Sequence, residues 1–242
     1  MAALADDGVP EALHGDAWFT GSLNSTGASA LPAGHFLAEP YIGDVMERPE
    51  GGKASHTAQS LNLLLYGISD ELTVGLIPRV SWHTHAEIGD LTARAQYRFT
   101  DYDEASGMPA LAFVVNQDLP KGNGAYTTHL GLLADEYEVV DGRPLRLRLN
   151  LSYGFQDLAR PGPAYDAVLA FEYSLSTRWA VAVDITYDRS EETRIAQSAG
   201  LVPALEYNWT AYTGLIIGVQ LPIWQHAASR VTMPMAALNC VF

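Results

Sequence analysis

Leu145-Arg146-Leu147-Arg148-Leu149-Asn150-Leu151-Ser152-Tyr153 places a leucine or a ring at every odd position and an arginine, amide or hydroxyl at every even one. A period of two puts successive side chains on opposite faces of a strand. The same alternation sets Leu91, Ala93, Ala95, Tyr97 and Phe99 against Thr92, Arg94, Gln96, Arg98 and Thr100. It also sets Trp179, Val181, Val183, Ile185 and Tyr187 against Ala180, Ala182, Asp184 and Thr186. One face is free of charge in every case, and the other carries the ionic groups. The sequence ends on such a strand, at Phe242. Repeated along a chain, this pattern predicts a barrel whose outside meets lipid and whose inside is wet.

Composition agrees. The chain has 242 residues, 48% hydrophobic and 17% charged, enough for one large all-β unit. No stretch approaches the ~18 apolar residues of a membrane-crossing helix, so the hydrophobicity is distributed through alternation. A formal charge of −14 argues against nucleic acid, whose phosphates need a basic surface. Cys240 is the only cysteine, which excludes an intrachain disulfide; it shares a face with Leu238 and Phe242 as a small apolar filler. Ala3-Leu4-Ala5 before Asp6-Asp7 reads as the tail of an export-signal cleavage site, so residues 1–5 are expected to be a signal remnant.

Residues 1–33 show no sustained period and form an irregular amino-terminal segment, followed by a barrel over 34–242. About twelve strands are expected, near 34–42, 57–67, 70–80, 89–100, 108–116, 125–135, 143–154, 164–174, 177–188, 199–209, 211–221 and 230–242. Gly67-Ile68-Ser69-Asp70, Leu175-Ser176 and Trp209-Thr210-Ala211 read as tight hairpins, while 43–56, 81–88, 117–124, 155–163, 188–198 and 222–229 read as longer loops on the opposite side. Segments 101–107 and 136–142 are exceptions on the short-turn side. Outward rings sort into two sets: Tyr97, Phe99, Tyr173, Trp179, Tyr207, Trp209 and Phe242 near the short turns, and Tyr126, Tyr153, Tyr165, Tyr187 and Trp224 near the loops. Two aromatic belts flanking an aliphatic band are what the headgroup levels of a bilayer select. The competing fold is a soluble sandwich or lipocalin-like barrel with its apolar face inward, which has no reason to sort its rings this way. Pro78, Pro203 and Pro234 fall at outward positions within strands, where a closed barrel offers no edge to shelter a missing N–H.

Three stretches carry a resemblance. Leu31-Pro32-Ala33-Gly34-His35-Phe36-Leu37-Ala38-Glu39-Pro40-Tyr41 is similar to the first strand of the outer-membrane β-barrel transporter family associated with the meta-pathway of phenol degradation. Ile88-Gly89-Asp90-Leu91-Thr92-Ala93-Arg94-Ala95-Gln96-Tyr97-Arg98-Phe99 resembles that family's most recognisable strand, and Tyr173-Ser174-Leu175-Ser176-Thr177-Arg178-Trp179 its hairpin. Phe242, with Cys240 and Leu238 before it, resembles the signal read by the barrel-assembly machinery. The resemblance implies a monomeric transmembrane antiparallel up-and-down barrel in the outer membrane of a Gram-negative bacterium, admitting small hydrophobic or aromatic molecules passively. Its expected partners are the lipid bilayer, the assembly machinery and those solutes; no nucleic acid and no cofactor are expected.

Twelve strands close to a backbone radius of roughly 11–12 Å, narrow enough for side chains to fill much of the lumen. Arg79, Arg94, Arg98, Arg146, Arg148, Glu172, Asp184 and Glu206 are the expected lumen-lining residues along a substrate path. They read either as an ion-pair lattice or as a constriction whose arginines steer anionic or aromatic solutes. Trp18 and Phe19 are the candidates to plug that lumen. His83 and His85 have two-residue metal spacing without a third ligand, and Asp101, Asp103 and Glu104 lack a calcium loop, so no metal site is expected. His129 is the one inward candidate for an outer-membrane hydrolase, but no nucleophile motif accompanies it, and the chain is not expected to be an enzyme. A non-conducting structural barrel is the other alternative.

Overall fold

A chain crossing hydrocarbon must pair every backbone N–H and C=O within itself, and strands do so only by closing on one another. The computed structural model describes residues 21–49, 52–82, 85–103, 105–119, 126–156, 164–190, 196–226 and 229–242. Its strands are β1 (Phe36–Pro49), β2 (Ser55–Gly67), β3 (Leu72–Trp82), β4 (Ala86–Thr100), β5 (Ala110–Leu119), β6 (Thr127–Val140), β7 (Arg143–Gln156), β8 (Ala164–Ser174), β9 (Trp179–Ser190), β10 (Ala196–Thr210), β11 (Thr213–His226) and β12 (Ser229–Val241). Each pairs antiparallel with its neighbours in sequence, and β1 pairs with β12 to close the barrel. Phe36 and Phe242 exchange backbone hydrogen bonds of 3.1 and 2.8 Å at the seam.

The side-chain sorting is inverted relative to a soluble barrel. Arg148, Glu172, Asp184 and Glu206 are buried, whereas Leu149, Leu151, Phe171, Val183, Ile185 and Trp209 are exposed. In water that arrangement is untenable; in a bilayer, the exposed face contacts acyl chains. The aromatic belts stand on this outer face, with Trp179 against Tyr207 at one end (ring centroids 4.6 Å apart) and Tyr153 against Tyr165 at the other (5.2 Å).

Several strands run further than their alternation indicates. β1 reaches Pro49, β9 Ser190 and β11 His226, so much of the sequence expected in long loops is strand. Beyond the hydrocarbon both faces meet water, and the period of two disappears although pairing continues. On the short-turn side, β6 extends to Val140, and 141–142 is a two-residue turn. Asp141 and Gly142 have φ of 52° and 73°, the left-handed pair that a hairpin of this length requires. Segment 101–109 is the longer connection there. It turns its Tyr102 inward, edge-on to Tyr137 (5.0 Å), with the hydroxyl donating to the Tyr137 carbonyl at 2.8 Å.

The prolines are accommodated by gaps in the ladders. The β10–β11 register steps from Leu201↔Leu221 to Ala204↔Gly218, and the Pro203 carbonyl lies against Gly218. Pro203 therefore turns its missing donor towards the skipped rungs while its β9 side stays paired. Pro234 coincides with the step from Gly43↔Met235 to Met46↔Thr232, and Pro78 with the step from Leu61↔Arg79 to Leu64↔Leu76. Pro78 also adjoins a bulge before Val80 on its β4 side.

Candidate functional site

The lumen is built from even-numbered positions on β7 to β10, where the alternation points Arg146, Arg148, Glu172, Asp184 and Glu206 inward. Register places Arg146 opposite Glu172 and Arg148 opposite Asp135. Glu172 is shared: its Oε1 accepts from Arg146 Nη1 and its Oε2 from Arg148 Nη1, both at 2.9 Å. Arg148 Nε lies 3.8 Å from Asp135 Oδ2, and Arg146 sits 6.0 Å from the Tyr137 ring centroid. These charges are desolvated, and the pairing is what makes them tolerable. Glu206 stands two strands further round, on β10, and accepts from Asn208 Nδ2 at 2.9 Å through Oε1.

Two of the expected lumen residues lie elsewhere. Arg98 sits at the short-turn rim, where Nη1 is 2.8 Å from Asp101 Oδ1 and Nη2 donates to the Asp70 carbonyl at 3.0 Å. Arg79 is exposed, at the Pro78–Val80 bulge and within electrostatic reach of Asp118. Arg94 is buried on β4 and contributes Nη2 to Gln96 Oε1 at 2.7 Å.

Residues 21–33 run through the interior ahead of β1. The Ser22 hydroxyl and the Asn24 N–H both donate to Asp184, the latter at 2.9 Å. Thr26 exchanges two bonds with the Asn150 amide, of 2.6 and 2.8 Å. Ala28 N–H donates to Asp135 Oδ2 at 2.9 Å, and Gln96 Nε2 reaches the Gly27 and Ser29 carbonyls, each at 3.0 Å. Leu31 N–H donates to Thr73 Oγ1 at 2.8 Å, and Ala33 N–H to Asp70 Oδ1 at 3.0 Å. An irregular backbone has no ladder of its own, so wall side chains supply its partners. Its apolar side chains face the other wall: Leu23 packs with Val202, Ile216 and Met235, and Leu31 with Leu37, Leu63 and Ile77. A side chain at Gly67 would collide with the Pro32 carbonyl, so the exit of the segment towards β1 depends on glycine there.

Two cavities remain beside this segment. One of about 280 Å³ is lined by Leu61, Leu63, Ile77, Met233 and Met235, among others. The second, of about 150 Å³, is more polar and includes Asn116, Asn150, Ser152 and Asp166. Asn24, Thr26 and Arg94 line both.

Sequence reasoning missed Asp135, Tyr137, Gln96 and Thr73 as site residues; it expected residues 6–33 to fold back into the lumen, but on the strength of Trp18 and Phe19 and not of residues 21–33. Asp135 and Tyr137 continue the inward set of β6; Asp135 stood at the last position of the expected strand, and Tyr137 was hidden because that strand was expected to stop at 135. The partners of the segment carry no sequence signal, since any inward amide or hydroxyl looks alike. Trp18, Phe19, the signal remnant 1–5, His83 and Glu104 lie outside the described residues. His129 Nε2 is 3.5 Å from Asp118 Oδ2, which also accepts from Thr92 at 2.5 Å through Oδ1. Its ring lies over Gly154, a position with no nucleophile to activate. Among the described residues no group of three His, Cys, Asp or Glu is arranged to hold a metal ion.

No family model and no curated protein matches the sequence. Solved structures do. The COG4313 outer membrane channel from Pseudomonas putida F1 superposes with a TM-score of 0.65 at 14% identity, covering 91% of this chain and 100% of that one. The NanC porin gives 0.55 at 10% identity over 84% and 98% of the two chains, and the KdgM porin 0.51 at 15% over 84% and 99%. At these identities the likeness is one of fold: the barrel shares its architecture with outer-membrane channels and porins.

Proposed function

We propose that this chain is an outer-membrane channel for passive passage of small, apolar or aromatic molecules, with residues 21–33 as the element that sets its bore. The carrying observation is an interior holding two cavities that share Arg94, and Asn24 and Thr26 of that segment, in their lining, inside a wall whose greasy face points outward. The fold-level likeness to channels and porins supports the reading, and the resemblance to the aromatic-degradation transporters supplies the solute class. The eight charged positions expected along the path divide the work. Arg146, Arg148, Glu172 and Asp184 brace the wall and the segment, Arg94 borders the open space, Glu206 faces the same lumen, and Arg79 and Arg98 serve the rims. Phe242 marks the strand end that the assembly machinery reads, and the barrel works as a monomer without a cofactor.

Planar-bilayer recording tests this. Purified protein is expected to give small discrete steps, and deletion of residues 6–33 to raise the unit conductance several-fold. Silence from both proteins, each shown to be folded, would overturn the channel reading and favour an inert barrel. Ester or peptide hydrolysis lost in His129→Ala would favour the enzyme instead.

A further inference from the structure

Four arginines on β4 and β7 look equivalent in the sequence, and the structure separates them. Arg146 and Arg148 are held by Glu172, and Arg98 by Asp101 at the rim. Arg94 is only 7% exposed and, unlike the other three, forms no ion pair among the described residues; its Nε, like that of Arg148, has no hydrogen-bond partner there. Glu39, the carboxylate whose field reaches it, accepts the Tyr41 hydroxyl at 2.8 Å. A buried guanidinium with an unused donor is costly unless something completes it.

Arg94 also lines both cavities. The larger, about 280 Å³, is close to the small end of ligand pockets, roughly 300–1,000 Å³. Its walls are Leu61, Leu63, Ile77, Met233 and Met235, with the Tyr41 ring beside them. Methionine and leucine accept a flat or irregular apolar body without demanding a fixed shape. Among the described residues, the one full charge lining this space is Arg94, whose planar fork matches a carboxylate. The acids nearby are already engaged: Asp184 by Ser22 and Asn24, Asp135 by Ala28 and Arg148, Glu172 by two arginines.

We propose that Arg94 anchors a binding site for a small monocarboxylate with an apolar body, the carboxylate on the guanidinium and the body against the Leu–Ile–Met wall. The proposal rests on the channel reading and deepens it by naming the solute class: amphipathic acids pause at Arg94, and apolar molecules of the same shape without the charge do not.

Benzoate, benzamide and benzamidine share one outline and carry charges of −1, 0 and +1, which makes them the probes. Calorimetric titration of the full chain in detergent micelles is expected to show benzoate binding at least tenfold more tightly than benzamide, and benzamidine weakest. Arg94→Gln should abolish the preference for benzoate, and Arg94→Lys should keep part of it, since the charge survives but the fork does not. Leu61→Trp, which fills the cavity and leaves Arg94 in place, should weaken benzoate at least tenfold; it also serves if Arg94→Gln does not fold. Equal affinity for benzoate and benzamide, tightest binding of benzamidine, or an undiminished preference in Arg94→Gln or undiminished affinity in Leu61→Trp would overturn the site. Bilayer recording of the same preparations separates the two readings. Conductance without a benzoate preference removes the site and leaves the channel, whereas the preference without conductance keeps the site and removes the channel.

Discussion

The β6–β9 wall and the wall formed by β10–β12 with β1–β3 are made of the same kind of strand but solve different problems. In the first, the β6–β7 ladder is unbroken from Thr127↔Gln156 to Val140↔Arg143, and the lumen face is ionic, with Asp135, Arg146, Arg148, Glu172 and Asp184. In the second, ladders skip rungs at Pro78, Pro203 and Pro234, and the lumen face is mixed, with Leu37, Leu63, Ile77, Val202, Ile216 and Met235 buried beside Glu39, Thr73, Glu206 and Asn239. Residues 21–33 lie between them and use both: the Asn24, Thr26 and Ala28 N–H groups donate to Asp184, Asn150 and Asp135 of one wall, while on the other the Leu31 N–H donates to Thr73 and Leu23 and Leu31 pack against its apolar side chains. A non-regular chain can be held inside a barrel only if both its polar backbone and its apolar side chains find partners. The asymmetry of the walls provides the two kinds.

Breaking the ionic wall should cost most. Glu172→Ala strands Arg146 and Arg148 without their shared acceptor, and a loss of about 3–5 kcal/mol is expected in urea titration of the folded, heat-modifiable band. An equivalent cut in the other wall, Pro203→Val, should change stability by less than about 1 kcal/mol. Equal effects would mean that the walls do not differ as described.

The inside–outside assignment gives the next largest contrast. Val183 is 36% exposed and faces lipid, so Val183→Arg should hinder assembly by ~2–4 kcal/mol. Asp184→Asn, one residue along, should assemble nearly as the parent does but loosen Ser22 and Asn24, seen as faster protease cleavage near the amino terminus. Equal assembly defects in the two variants would reverse the facing of β9.

Smaller effects concern the segment alone. Asn150→Ala removes both bonds to Thr26 and should weaken its seating by about 1–3 kcal/mol, raising channel noise without shifting the unfolding midpoint. Leu23→Ala tests the opposite wall through the same recording; if only one of the two variants raises the noise, the segment depends on one wall.

The period of two was sufficient to read the strands and their number, because a bilayer imposes its polarity on every second residue; which face meets lipid was read from the two aromatic belts and the terminal Phe242. The period also marked Arg94, Arg146, Arg148, Glu172, Asp184 and Glu206 as inward. It failed at strand ends, where water on both faces erases the alternation, and for that reason Tyr137 was assigned to a turn. Which arginine is ion-paired and which is not had no local signature. Arg146 and Arg94 each sit between small or apolar neighbours on an alternating strand, and only the register against β8 brings Glu172 to the first, while among the described residues no carboxylate pairs with the second. Local periodicity records the solvent that each side chain meets. Pairing across the lumen depends on strand register and on the path of residues 21–33, which join positions more than a hundred residues apart in sequence and exist only once the barrel has closed.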